Sequence, residues 1–152
     1  MSMNYKDSDK LWMYRALELA ERAEAQGEVP VGAVLVLQGK KIGEGYNSSI
    51  TYQDPTAHAE IIALREGGRT IGNYRLSNVV MYVTLEPCIM CAGAIIHARV
   101  SRVVFGAQDA KNSIGITGSS ILNNRIKLCS GVLEEACSLQ LKDFFHSKRA
   151  QN

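Results

Sequence analysis

No apolar run in this chain is long enough to cross a bilayer, and the polar stretch from Met1 to Lys10 lacks the pattern of a secretory signal. The expectation is a cytoplasmic protein with no membrane partner. Proline is scarce, at 3 of 152 residues, and no repeat or low-complexity tract reads as a linker. Residues 1–152 are therefore expected to form a single domain, large enough to bury an apolar core without disulfide staples. Charge of one sign is also lacking. A formal net charge of +2 neither demands nor excludes a nucleic-acid partner, because a local basic face matters more than the total. Cysteines number four, but without a secretion signal the thiols stay reduced. Cys129 and Cys137 fall in an expected strand and an expected helix and read as small buried apolar side chains. Cys88 and Cys91 are spaced for a metal.

What is present is 46% apolar and patterned as alternating helix and strand. Asp7 to Ala25 carries apolar positions at helical spacing, with Asp9 as candidate cap and Gly27 as the stop. Ala33 to Leu37 and Lys41 to Tyr46, separated by a Gln38-Gly39-Lys40 turn, predict a hairpin. A polar loop, Asn47 to Pro55, follows. Thr56 then caps a helix containing His58 to Arg65, which Gly67-Gly68 stops. Val79 to Val83, Val103 to Gly106 and Ile126 to Cys129 predict three further strands; Cys91 to Ala98 and Leu133 to Lys148 predict two further helices. Strands separated by helices predict an α/β fold, a three-layer α/β/α sandwich around a mixed five-stranded sheet.

The chemistry lies in two short segments. His58-Ala59-Glu60 is followed, 27 residues after Glu60, by Pro87-Cys88-Ile89-Met90-Cys91. One His and two Cys suit a tetrahedral zinc and leave its fourth position for water, as catalytic sites do and structural ones do not. Positions two apart on a helix differ by roughly 200° of rotation, so His58 and Glu60 can converge only at a first helical turn. Cys88 and Cys91, three apart, share a face, and Pro87 suits a first turn because no amide donor is needed there. Positive helix ends lower a cysteine pKa and favour thiolates. Glu60 is not needed as a ligand and is free to carry protons. Water activated at such a centre attacks an amidine-like carbon, C4 of cytosine or C6 of adenine. The spare histidines are His97, six residues beyond Cys91 and expected to point elsewhere, and His146. A lone C-x-x-C also serves structural zinc knuckles; the order and spacing of the whole set point to hydrolytic deamination.

Longer blocks extend the match. Glu28 to Val34, Asp54 to Glu60, Asn73 to Leu76, Tyr82 to His97, Val103 to Ala107, Asp109-Ala110-Lys111 and Asp143-Phe144-Phe145 together resemble the bacterial tRNA-specific adenosine deaminases, for which the zinc signature is itself a standing example. The resemblance implies a cytidine deaminase-like fold and a homodimer that converts the wobble adenosine of an arginine tRNA anticodon stem-loop to inosine. It implies one Zn²⁺ per subunit, held by His58, Cys88 and Cys91, with Glu60 as proton shuttle and no further protein partner. It assigns Asn47, aided by backbone at Ala59, to the flipped base, and Val29, Pro30 and Val31 to an apolar wall against the purine. Asp109 and Lys111 would meet the anticodon loop, Lys111 at phosphate and Asp109 near a ribose 2′-hydroxyl. Phe145, Lys148 and Arg149 would add stacking and phosphate contacts. The chain departs from the family in a short connection ending Asn123-Asn124-Arg125, and in two isoleucines, Ile114 and Ile116, where the family has a small glycine-rich loop. The zinc signature alone leaves open a deaminase of a free base or nucleotide, which the longer blocks disfavour. It also leaves open a non-catalytic zinc-stabilised RNA-binding subunit, which would have no use for Glu60.

Overall fold

The computed structural model describes residues 5–109 and 116–150. Along the chain these form α1 (Tyr5–Ala25), β1 (Gly32–Leu37), β2 (Lys40–Tyr46), α2 (Ser49–Tyr52), α3 (Ala59–Ile71), β3 (Val79–Leu85), α4 (Ile89–His97), β4 (Arg102–Ala107), α5 (Gly118–Leu122), β5 (Lys127–Cys129) and α6 (Glu134–Ala150). One five-stranded sheet runs in the order β2-β1-β3-β4-β5. β1 is antiparallel to both β2 and β3, while β4 is parallel to β3 and β5. The hairpin needs only a tight turn. The parallel pairs need crossovers, and α4 and α5 supply them.

The two-residue period of a strand divides the core into two layers. Val34, Val36, Tyr82 and Val104 pack with Met13, Ala16 and Leu19 of α1 and Cys137 of α6. Their neighbours Ala33, Leu35, Met81, Val83, Val103 and Phe105 pack on the other side with Ala63 of α3 and Ala92 and Ile95 of α4. The expected three-layer α/β/α sandwich with a mixed sheet is what forms. No helix among the described residues is long and apolar enough to cross a membrane.

Four local expectations are corrected. Asp9 does not cap α1, because the helix begins at Tyr5; its buried carboxylate instead takes a bidentate bond from Arg102, 2.9 and 2.7 Å, and one from the Tyr82 hydroxyl, 2.9 Å. Gly67-Gly68 does not stop α3, which runs on to Gly72 in the left-handed conformation (φ 70°). Gly67 serves packing: a Cβ there would lie 2.7 Å from the Leu35 side chain. Thr56 does not cap α3 either; its amide and hydroxyl donate to Asp54 Oδ1 at 2.9 and 2.8 Å in a turn that precedes the helix. The loop after β2 contains the short α2, fastened by Glu28, whose carboxylate accepts from the Ile50 and Thr51 amides and the Thr51 hydroxyl.

Candidate active site

Close packing of α3 on β2 sets the position of the His-x-Glu segment. A Cβ on Gly45 would lie 2.6 Å from the Ala59 carbonyl, and one on Gly43 2.6 Å from that of Ala63, so only glycine lets the first turns of α3 approach the strand this closely. The Asp54–Thr56 turn then delivers His58 in extended conformation (φ −77°, ψ 155°) as the N-cap of α3. On the neighbouring crossover, β3 runs into Glu86-Pro87, and Cys88 (φ −75°, ψ 175°) is the N-cap of α4. Neither side chain makes the usual capping bond to its helix. Both are free to meet over the two helix N-termini, where Cys91, one turn into α4 and fully buried, joins them.

His58 Nδ1 lies 3.6 Å from Cys88 Sγ and 3.5 Å from Cys91 Sγ. A tetrahedron with Zn–S near 2.3 Å and Zn–N near 2.0 Å has N···S edges of about 3.5 Å. The three donors thus stand at zinc spacing, and among the described residues they are the one His/Cys/Asp/Glu group that could hold a metal. His97 is exposed at the end of α4 and belongs to a different groove. In the metal-free chain the hydrogen bond from Cys91 holds the Cys88 thiol down to about 4, with His58 adding to the effect, while Cys91 is raised. His58 is raised by its hydrogen bond to Cys88. Cys88 is thus the more acidic of the two thiols. Glu60, in the first turn of α3, is 4% exposed, and burial pushes its carboxyl up to about 7. It lies within hydrogen-bonding influence of Cys91. A buried carboxyl that titrates near neutrality beside a metal triad is suited to proton transfer.

Asn47 joins the other elements. Its amide donates to the Val31 carbonyl at 3.1 Å, and its Oδ1 accepts from the Ala59 amide at 2.9 Å. That bond commits the Ala59 amide to orienting the side chain and leaves the Asn47 NH₂ group to donate elsewhere. Pro30 and Val31 are buried and Val29 is half-buried. Val29 also lines a cavity of about 560 Å³ with Asp109, Lys142, Phe145 and Arg149. Phe144 is core, and Phe145 meets it edge to face with centroids 5.3 Å apart. Lys148 is exposed, its Nζ 5.5 Å over the Phe144 ring, and is not among the residues of that cavity. Lys111 lies outside the described residues. Cys137 is buried and its thiol is pushed up to about 12, in keeping with a packing role. Sequence reasoning passed over Lys142, six residues before Lys148 on an ordinary amphipathic helix, and the clamp made by Glu28, whose partners lie 22 and 23 residues away. Neither has a local signature.

The family model of the cytidine and deoxycytidylate deaminase zinc-binding region matches residues 6–107. A tRNA-specific adenosine deaminase of Haemophilus influenzae is 54% identical over 151 residues, covering 94% of this chain and 86% of its own. The one from Bacillus subtilis is 44% identical over 146 residues, covering 93% and 91%. A solved structure from work on A-to-I editing by tRNA A34 deaminases at the wobble position superposes with a TM-score of 0.80 at 39% identity, covering 86% of this chain and 99% of the other. With its zinc donors in place and these relatives matched nearly end to end, the chain belongs to the tRNA-specific adenosine deaminases, within the zinc-binding cytidine and deoxycytidylate deaminase family.

Proposed function

We propose that this protein hydrolyses the wobble adenosine of a tRNA anticodon to inosine, with an arginine tRNA as substrate and ammonia as second product. The observation that carries the reading is the buried Glu60 carboxyl beside the His58, Cys88 and Cys91 donors, at the start of two helices that point at one place. Bound there, zinc supplies a Lewis acid that makes water nucleophilic near neutral pH. Glu60 takes the proton that the water gives up and passes it to the purine ring nitrogen beside C6. A second transfer through Glu60 carries the remaining proton, from the new C6 hydroxyl, to the amine. The C6–O bond forms, the C6–N bond breaks, and nitrogen leaves as ammonia. The Asn47 NH₂ group holds the base, and Val29, Pro30 and Val31 give a dry apolar face for the flat ring. Asp109, Phe145, Lys148 and Arg149 would form the RNA-facing rim, with Lys111 as a further phosphate contact.

The same reading covers the assembly: a cytoplasmic single-domain subunit that works as a homodimer. A groove of about 820 Å³ between α3 and α4, lined by Ile61, Leu64, Leu76 and Ala94 with the 71%-exposed Tyr74 at its edge, suits a second copy. Sedimentation of the zinc-loaded protein checks this, a dimer being expected. The activity is tested by ammonia release from the anticodon stem-loop and from free adenosine, cytosine and guanine side by side. Release from the stem-loop alone is expected; release from a free base alone would replace the proposal with a small-molecule deaminase.

A further inference from the structure

The tripeptide Glu86-Pro87-Cys88 does more than deliver a metal ligand. Glu86 is buried at 7% exposure and is not one of the residues grouped to hold a metal. Its backbone amide donates to the Ala107 carbonyl at 2.8 Å, extending the β3–β4 ladder, and its Oε1 accepts from the Asp109 amide at 3.1 Å. Next in the chain, Pro87 meets the other flank of the same rim. A Cβ on Gly118 would stand 1.8 Å from the Pro87 carbonyl oxygen and 3.1 Å from that of Cys88, so any other residue there would force the start of α5 off this tripeptide. Between the two fastenings lies a cavity of about 180 Å³, with Glu86, Cys88, Met90, Asp109, Ile116 and Thr117 on its walls.

Taking the proposed RNA rim as its basis, we infer that Glu86 is a positioning residue for substrate: its carboxylate fixes Asp109, and Gly118 seats Ile116 and Thr117, at a set height beside the zinc ligand Cys88. The registration is mechanical. The tripeptide that ends in a metal ligand also carries both flanks of the rim, so the reacting base and the nucleotides around it are located from one reference. A buried carboxylate needs hydrogen-bond donors, and the Asp109 amide is one; an apolar residue would leave that amide without this acceptor.

The test compares wild type, Glu86→Gln, Glu86→Ala and Glu86→Asp as zinc-loaded full-length protein. Glutamine keeps an acceptor oxygen in place; alanine has none, and the shorter aspartate draws back from Asp109. In Glu86→Ala, amide exchange at Asp109 should rise and KM for a wobble-adenosine stem-loop should increase about tenfold, the size of one hydrogen bond to a charged group. Its zinc should stay stoichiometric and kcat within about threefold, a split that loss of the metal centre would not give. Glu86→Gln should stay close to wild type on both readouts, and Glu86→Asp should fall between. If Glu86→Ala does not fold, the Gln and Asp pair still decides. Unchanged exchange and KM in the Ala and Asp variants would overturn the inference. So would loss of zinc from Glu86→Ala, which would make the carboxylate a prop for Cys88. If the wild type itself leaves the stem-loop unmodified, the functional proposal fails, while exchange at Asp109 still judges the fastening.

Discussion

Replacing Glu60 by glutamine should make the metal-free protein more stable above neutral pH, although it removes the proposed proton carrier. Burial lifts the Glu60 carboxyl from 4.5 to about 7 in the folded chain. Below about pH 4.5 folded and unfolded chains both hold the proton, and the residue costs nothing. As pH rises from 4.5 to 7 the unfolded chain releases the proton that the folded chain keeps, so stability falls; above 7 the cost is complete. At about 1.4 kcal/mol per pH unit the full cost is roughly 3 kcal/mol. Glutamine carries no charge to desolvate. Urea unfolding of chelator-treated, reduced wild type and Glu60→Gln should therefore coincide near pH 4.5 and diverge, in favour of the variant, up to pH 8. Loading zinc should narrow the gap, because a nearby divalent cation favours the carboxylate. Parallel stability curves for the two proteins across this range would refute the reasoning that burial holds the Glu60 proton.

Other outcomes follow from the same geometry. Cys88→Ala removes one of three metal donors and should abolish stoichiometric zinc by elemental analysis; a variant that still holds one zinc per chain would contradict the ligand set. Asp9→Ala leaves the buried Arg102 guanidinium without its bidentate partner and should cost about 3–5 kcal/mol in denaturant unfolding. Asp109→Asn removes a negative charge from the rim and should raise activity on single-stranded DNA relative to RNA, and an unchanged ratio would remove the proposed 2′-hydroxyl contact.

The outline of this fold was legible because its determinants are short-range. Val34 and Val36 face one layer and Ala33 and Leu35 the other, so the alternation along β1 was already visible in the sequence. His58, Glu60, Cys88 and Cys91 were legible because they form a short signature of fixed order and spacing: His58 and Glu60 can converge only at a helix start, Cys88 and Cys91 share a helix face, and both helices do start there. What stayed hidden depends on residues distant in sequence. Asp9 sits where a cap belongs by local rules, yet its partner lies 93 positions away. Gly67 looks like a helix terminator until Leu35 is packed against it. Thr56 was a credible cap, but Asp54 binds its amide and hydroxyl first and shifts the helix start to His58. The buried carboxylates of Glu28 and Glu86 sit inside segments that read as apolar lead-ins, and their role appears only when the loops they hold are in place.

The most direct test of the central claim is position-resolved inosine formation in an arginine tRNA anticodon stem-loop, read by sequencing, with zinc-loaded wild type and Glu60→Ala compared. Inosine confined to the wobble adenosine, with the rate lowered on the order of 10²–10⁴-fold in Glu60→Ala while zinc and RNA binding persist, is the expected result. Near-normal turnover by Glu60→Ala would contradict the proton-transfer role, and no inosine at the wobble position with wild type would contradict the substrate.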